Sequence, residues 1–284
     1  MPPCTVRNAL LSIAASAMLF ATAAAEAQSK LEARYTATLA GIPVGKGMWL
    51  IDIAGDQYTS TASGKTAGLL QVFSGGYGSA VGNGTVNNGK PVSANYAATV
   101  VSGKKLDQVR MVVSGGAVKD YSAEPPLVPV PDRVPVTEAH RRGVVDPLSA
   151  TLMAVPGNGN PVRPEACNRT LPIFDGRGRF DLALSFKRMD RVRADKGYEG
   201  PVVVCAVQFI PIAGHRPSRP AIKYLTEQRD IEVALAPVVG TRVVVPYRIS
   251  VPTVLGAAVL EATQFVNAPQ IGRPAAATTN ARTF

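Results

Sequence analysis

Apolar residues alternate with polar ones along much of the chain. A spacing of two puts one side of a segment against a core and the other in water. The clearest case is 179–187: Phe180, Leu182, Leu184 and Phe186 share one face, and Arg179, Asp181, Ser185 and Lys187 the other. Ile231, Val233 and Leu235 alternate with Asp230 and Glu232, and Tyr247, Ile249 and Val251 make a third row. The run Pro201-Val202-Val203-Val204-Cys205-Ala206-Val207 is nearly continuous, the pattern of a strand covered on both sides. Earlier, 31–39, 48–53, 58–63, 93–102, 109–114 and 117–121 read as strands. Gly55-Asp56, Asn87-Asn88-Gly89 and Gly115-Gly116 punctuate them as hairpin turns, because Gly and Asn tolerate positive φ.

Helical periodicity is confined to short pieces. Asp146-Pro147-Leu148-Ser149-Ala150-Thr151-Leu152-Met153-Ala154 combines a capping carboxylate with Pro at the first helical position. A second short helical turn is expected at 66–73. Pro125, Pro126, Pro129 and Pro131 stiffen an extended connector over 124–137, between a Gly-rich front half and a rear half that holds Cys167 and Cys205. The front half shows no clean closure of its own, so one domain over 28–266, built on a single large antiparallel sheet with one or two short helices, is expected. A disordered tail is expected over 267–284. No internal repeat is present.

The first residues carry no strand pattern. Arg7 precedes the apolar stretch 9–20, and Ala25-Glu26-Ala27 fits a small-x-small cleavage site, so 1–27 reads as a cleavable export signal and the mature chain begins at Gln28. The alternative is a membrane anchor, for which the stretch is short and rich in Ala. Export changes the reading of the cysteines. Cys4 leaves with the signal, and Cys167 and Cys205 are expected to form a disulfide rather than two buried thiols. In the chain-entropy account such a crosslink stabilises by roughly 4 kcal/mol.

Composition supports a globular chain: 46% of the 284 residues are hydrophobic and 18% charged. The formal net charge is +10, and loss of Arg7 and Glu26 with the signal leaves it unchanged. Such a charge is read either as a means of solubility or as attraction to anionic envelope components. Export argues against nucleic acid as a partner, and aromatic residues, at 6%, are sparse for a base-stacking platform.

Catalytic material is thin. His140 and His215 stand alone, no Gly-x-Ser-x-Gly elbow occurs, and no ligand set for a metal is spaced along the chain. Asp175, Arg177, Arg179 and Asp181 are the most concentrated charges. They are read either as a cluster at a cleft mouth or as paired charges that fix a turn. Arg188, Arg191, Arg193 and Lys196 are read either as a solvated edge strand or as an anion-docking stretch. Gly75-Gly76-Tyr77-Gly78 lacks the Lys and following helix of a phosphate loop and reads as a bend in a sheet.

Four local patterns, taken in order, resemble the uncharacterised DUF3108 family of exported Gram-negative proteins. They are Gly41-Ile42-Pro43-Val44-Gly45 between two strands, Gly64-Lys65-Thr66-Ala67-Gly68-Leu69, Asp146-Pro147-Leu148-Ser149-Ala150, and Phe174-Asp175-Gly176-Arg177-Gly178-Arg179-Phe180-Asp181-Leu182. Together they span about 31–265. The resemblance implies a strongly curved sheet around a helix, an open barrel similar in plan to lipoprotein-carrier folds. It supplies no catalytic residues. The expectation is a periplasmic, non-enzymatic envelope protein, without metal or cofactor, that binds a lipid, a lipoprotein segment or a protein partner on a concave sheet face. The competing expectation is a hydrolase acting on cell-wall or lipid substrates.

Overall fold

The computed structural model of the chain describes residues 28–67, 75–87 and 90–270. The export signal, the centre of the Asn87-Asn88-Gly89 turn, most of the helical turn expected at 66–73, and the tail beyond Gln270 lie outside the described residues.

The front half is an antiparallel meander: β1 (Gln28–Leu39), β2 (Ile42–Ala54), β3 (Gln57–Thr66), β4 (Gly76–Asn87), β5 (Lys90–Ser102), β6 (Lys105–Ser114) and β7 (Ala117–Glu124). Gly55-Asp56 and Gly115-Gly116 are hairpin turns as the pattern predicts; Gly55, Gly115 and Gly116 have φ of 60°, 60° and 69°. The connector, irregular after β7, leads to a one-turn helix, α1 (Pro147–Ala150). The rear half then adds β8 (Met153–Ala154), β9 (Arg169–Phe174), β10 (Arg179–Arg193), β11 (Lys196–Gly197), β12 (Glu199–Ala213), the helix α2 (Pro220–Glu227), β13 (Glu232–Pro237), β14 (Val243–Thr253) and β15 (Gly256–Gln270).

The halves form one sheet because β15 pairs along the whole of β1, from Gln28↔Gln270 to Leu39↔Ala258. The strand order is β7-β6-β5-β4-β3-β2-β1-β15-β14-β13-β12-β10-β9, which does not close on itself. This pairing also carries β15 through Gln270, past the boundary at 266 that residue pattern assigned to the domain. The pattern misses it because Asn267, Ala268 and Pro269 are poor strand formers that hold here through their partner strand.

Curvature follows from the core. Tyr35, Trp49, Ile51 and Tyr58 of the front strands share one buried cluster with Val202, Val204, Ala234, Ala236 and Tyr247 of the rear. Residues so distant in strand order meet only if the sheet curls and its inner faces oppose. A second cluster covers the other face of the rear strands, including Val203, Cys205, Leu235 and Val244. β12 is therefore buried on both sides, and Val202, Val203, Val204 and Cys205 each have no exposed surface. The Cys167–Cys205 disulfide lies in this second cluster, with Cα atoms 5.4 Å apart across a separation of 38 residues. It ties the loop before β9 to the central rear strand.

Three expectations are corrected, two of them periodic. Phe186 is 42% exposed. Lys187 is bulged out of the β10–β12 register just after it, and β9 pairs β10 only as far as Leu184, so nothing covers this stretch. Tyr247 does not share a face with Ile249 and Val251. It is the extra residue between the Ala234↔Arg248 and Leu235↔Pro246 pairs, so it joins the first cluster while Ile249 and Val251 pack on the second. Gly76, Tyr77 and Gly78 are not a bend but the start of β4. α2 was not among the expected helices: it contributes no fully buried residue, and Leu225 packs half-buried against the second cluster.

Candidate functional site

Along the front strands the inward side chains shrink toward one end of the sheet. On β2 they run Ile53, Ile51, Trp49, Gly47, Gly45, and on β3 Tyr58, Ser60, Ala62, Gly64, Thr66. On β4 they are Gly84, Gly82, Ala80, Gly78, Gly76. The register aligns Tyr35 with Gly47, Gly47 with Gly64, Gly64 with Gly78, and Gly78 with Val100. Three neighbouring strands thus present bare backbone at the same height. Large side chains fill the curl toward the Ile53 end, and the glycine row leaves space at the other.

That space is a groove of about 470 Å³ lined by Tyr35, Trp49, Gly47, Gly64, Leu148 and Leu260. It shares Ala62, Gly64 and Thr66 with a neighbouring hollow of about 510 Å³ that continues over Gly78, Ala80, Ala98 and Val100. Both volumes fall in the range of small-molecule sites. A Cβ at Gly64 would come no nearer than 3.5 Å to another heavy atom, an ordinary contact, and the residue is not in the left-handed region. Backbone geometry therefore does not demand glycine there. At Gly84 the reason is packing: a Cβ would lie 2.1 Å from the Val92 carbonyl oxygen and 2.7 Å from the Tyr58 hydroxyl.

The groove floor is α1. Asp146 has no exposed surface, and its Oδ1 accepts from the Leu148 and Ser149 amides at 2.9 and 3.0 Å, capping the helix as its position before Pro147 predicts. The Ser149 hydroxyl donates to the other carboxylate oxygen and also contacts the Tyr58 hydroxyl, while the Asp146 amide donates to Ser93 Oγ at 3.0 Å. A sealed network thus pins the helix to β3 and β5. Burial pushes the Tyr58 phenol up to about 12. Burial also raises the Tyr35 phenol, whose hydroxyl donates to the Pro246 carbonyl at 2.7 Å.

The charged segment 175–181 does not face the groove. Asp175 Oδ1 accepts from the Arg177 and Gly178 amides at 2.8 and 2.6 Å, closing the β9–β10 turn. The Arg177 guanidinium donates to Asp107 Oδ1 and to the carbonyls of Glu124 and Pro125, all within 3.1 Å. Arg179 pairs with Asp181 at 2.6 Å. Gly176, at φ 89°, sits where a Cβ would lie 2.2 Å from Val109 Cγ1. Phe174 is buried beside Tyr96, Val109, Met111 and Leu148, with its ring edge-on to Tyr121 at 5.8 Å. The segment is a latch from the β9–β10 turn to β6 and to the end of β7, so it joins strands at the two ends of the open sheet.

Half of the basic stretch 188–196 is paired: Arg188 with Glu232 at 2.9 Å and Arg193 with Glu199 at 3.6 Å, while Arg191 and Lys196 are exposed. The hydrogen bond from Arg188 holds the Glu232 carboxyl at about 2, well below the usual range, with Lys187 adding to it. His140 Nδ1 accepts from the Thr137 amide at 3.1 Å in an exposed turn. His215 lies in the loop after β12, where burial lowers its pKa. Among the described residues no group of His, Cys, Asp or Glu is arranged to hold a metal ion, and no helix is long and apolar enough to cross a membrane.

The groove was missed in the sequence although its signal is present. Glycine at alternate positions, Gly45/Gly47 and Gly76/Gly78, falls on the inward side of strands whose other inward residues are large. Of the four family-like patterns, the two front ones supply Gly45, Gly64 and Thr66 to the groove wall, and the two rear ones supply its floor and the latch.

A solved structure with a similar chain path is a β-barrel-like protein of the domain of unknown function DUF1849 from Brucella abortus. It aligns at a TM-score of 0.44 and 7% identity, over 86% of this chain and 98% of that one. No curated protein matches the sequence. The model of the family described as "Protein of unknown function (DUF3108)" matches residues 34–263, and the chain belongs to that family.

Proposed function

We propose that this is a non-enzymatic periplasmic protein that binds an extended apolar chain, the acyl portion of an envelope lipid, in the groove beneath β1–β4. The carrying observation is the row Gly47, Gly64, Gly78. Bare backbone on neighbouring strands lets a slender chain lie flush against the sheet, and Tyr35, Trp49 and Leu260 offer apolar walls. The reading of 1–27 as an export signal and the crosslinked cysteines support a periplasmic site of action. The hydrolase reading has less behind it. His140 and His215 lie away from the groove lining, and the Asp146–Ser149–Tyr58 network lacks a histidine and is sealed from solvent at Asp146 and Ser149.

Gly64→Leu tests the proposal, because the backbone accepts a side chain that the groove does not. Displacement of a fluorescent fatty acid should be at least tenfold weaker in the variant at an unchanged melting temperature. Equal affinity in wild type and variant overturns the groove as the binding site. Reading the N-terminus of the purified native protein by mass spectrometry checks export: a start at Gln28 is expected, and retention of Met1 defeats it.

A further inference from the structure

The end of the sheet onto which the groove opens combines exposed aliphatic side chains with lysines. Antiparallel connectivity brings the β1–β2, β5–β6 and β14–β15 tips to this one end. The β14–β15 tip carries Val254 and Leu255, 85% and 70% exposed, and the β1–β2 tip beside it carries Ile42 at 59%. These two tips are joined, since the Ala40 amide donates to the Ala257 carbonyl at 2.9 Å. The β14–β15 tip is also braced from within: Thr253 Oγ1 donates to the Gly256 carbonyl at 2.6 Å. Its aliphatic side chains are therefore held out in water by an ordered hairpin.

Lysines surround these tips. Lys104 and Lys105 form the β5–β6 tip and its first strand residue. Lys46 and Lys65 lie directly opposite one another on β2 and β3, on the outer face just below the rim. Like charges in that position repel. None of the four has a carboxylate within ion-pair distance among the described residues, whereas the β10 arginines Arg188 and Arg193 are paired. Two acidic groups on the strands that carry or neighbour these lysines are already engaged, Asp107 by Arg177 and Glu261 by Arg248. The rim is thus apolar at its tips, uncompensated in positive charge behind them, and continuous with the groove through Gly45, Lys65 and Thr66.

We infer that this rim docks the protein on an anionic phospholipid surface, with Ile42, Val254 and Leu255 entering the headgroup layer and Lys46, Lys65, Lys104 and Lys105 meeting the phosphates. Apolar insertion combined with lysine attraction is the two-part logic of interfacial membrane binding. The inference extends the acyl-chain reading of the groove: docking in this orientation sets the groove mouth against the bilayer, so a chain passes between them without crossing water.

Co-sedimentation with vesicles tests it, using wild type and variants purified identically with the disulfide formed. Wild type should partition at least tenfold better onto phosphatidylcholine vesicles containing phosphatidylglycerol than onto phosphatidylcholine alone. The preference should fall with salt. The double variant Val254→Asp/Leu255→Asp, at exposed tip positions that leave the core intact, should lose at least tenfold in partitioning. Lys104→Glu/Lys105→Glu should lose the lipid preference. Equal partitioning of wild type onto the two vesicles, or unaltered partitioning of both variants, overturns the docking surface. Gly64→Leu separates the two readings: it should still bind vesicles while losing the fatty-acid probe. Vesicle binding without any fatty-acid binding by wild type would defeat the groove and leave the rim standing; the reverse would defeat the rim alone.

Discussion

Val202, Val203, Val204 and Cys205 in the rear half are buried on both faces; in the front half Gly47, Gly64 and Gly78 present bare backbone at one height on three neighbouring strands. Both stretches are central strands of one continuous sheet. The rear is filled with β-branched side chains and closed by the disulfide, as a structural core requires. The front is braced at one end by Trp49, Ile51 and Tyr58 and left thin at the other. Glycine in a strand interior costs stability, so a row of three needs another reason, and access to the backbone is the one this geometry offers. Stability is concentrated in one half and an accessible cavity in the other.

The strongest challenge to that contrast is removal of the crosslink. Cys205→Ser should lower stability by roughly 4 kcal/mol, read as a fall in melting temperature, with amide-exchange protection lost first around β12 and the loop before β9. Protection lost equally from β2 and β3 would mean that the halves unfold as a single unit. Asp146→Ala addresses the front. It removes the cap of α1 and leaves the Ser149 hydroxyl without its acceptor, so a loss of about 2 kcal/mol is expected. Exchange should then rise at β3 and β5, and fatty-acid binding should weaken as the groove floor loosens.

Acid sharpens the rear side. The Glu232 carboxyl titrates at about 2 in the folded protein against an ordinary value of 4.5, so its contribution is complete above pH 4.5 and is lost as pH falls toward 2. Glu232→Gln should flatten that part of the acid stability profile; a profile identical to wild type would mean that the Arg188 and Lys187 contacts contribute nothing. The smallest stability effect is expected at Gly64→Leu, whose melting temperature should match that of wild type. A large destabilisation there would show the glycine row to be structural after all and erase the contrast.

Much of this division can be read along the chain. The continuous apolar run at 202–205 announces a strand covered twice, and Asp146-Pro147 announces a capped helix start, because both depend on neighbours in sequence. The turn at Asp175 is equally local, its carboxylate bonded to amides two and three residues on. The bulges at Lys187 and Tyr247 are not legible, since each is defined by a partner strand. For the same reason Phe186 belongs to the right face and still lies exposed: its strand outlasts its neighbour. Arg177 reads as one charge in a cluster, yet it holds Asp107, 70 residues away on β6, and the Glu124 carbonyl that ends β7.

By itself, the order of residues determined the β-rich class, the turns, the short capped helix, the cysteine pair and the family. Each follows from alternation, capping or spacing over a few residues, or from patterns repeated whole. Only the tertiary structure decided that β15 seals against β1, that the sheet curls without closing, and that glycines from three strands fall in one row below a rim that carries lysines. Those features are relations between strands, set by register and twist, and no single stretch of sequence contains them.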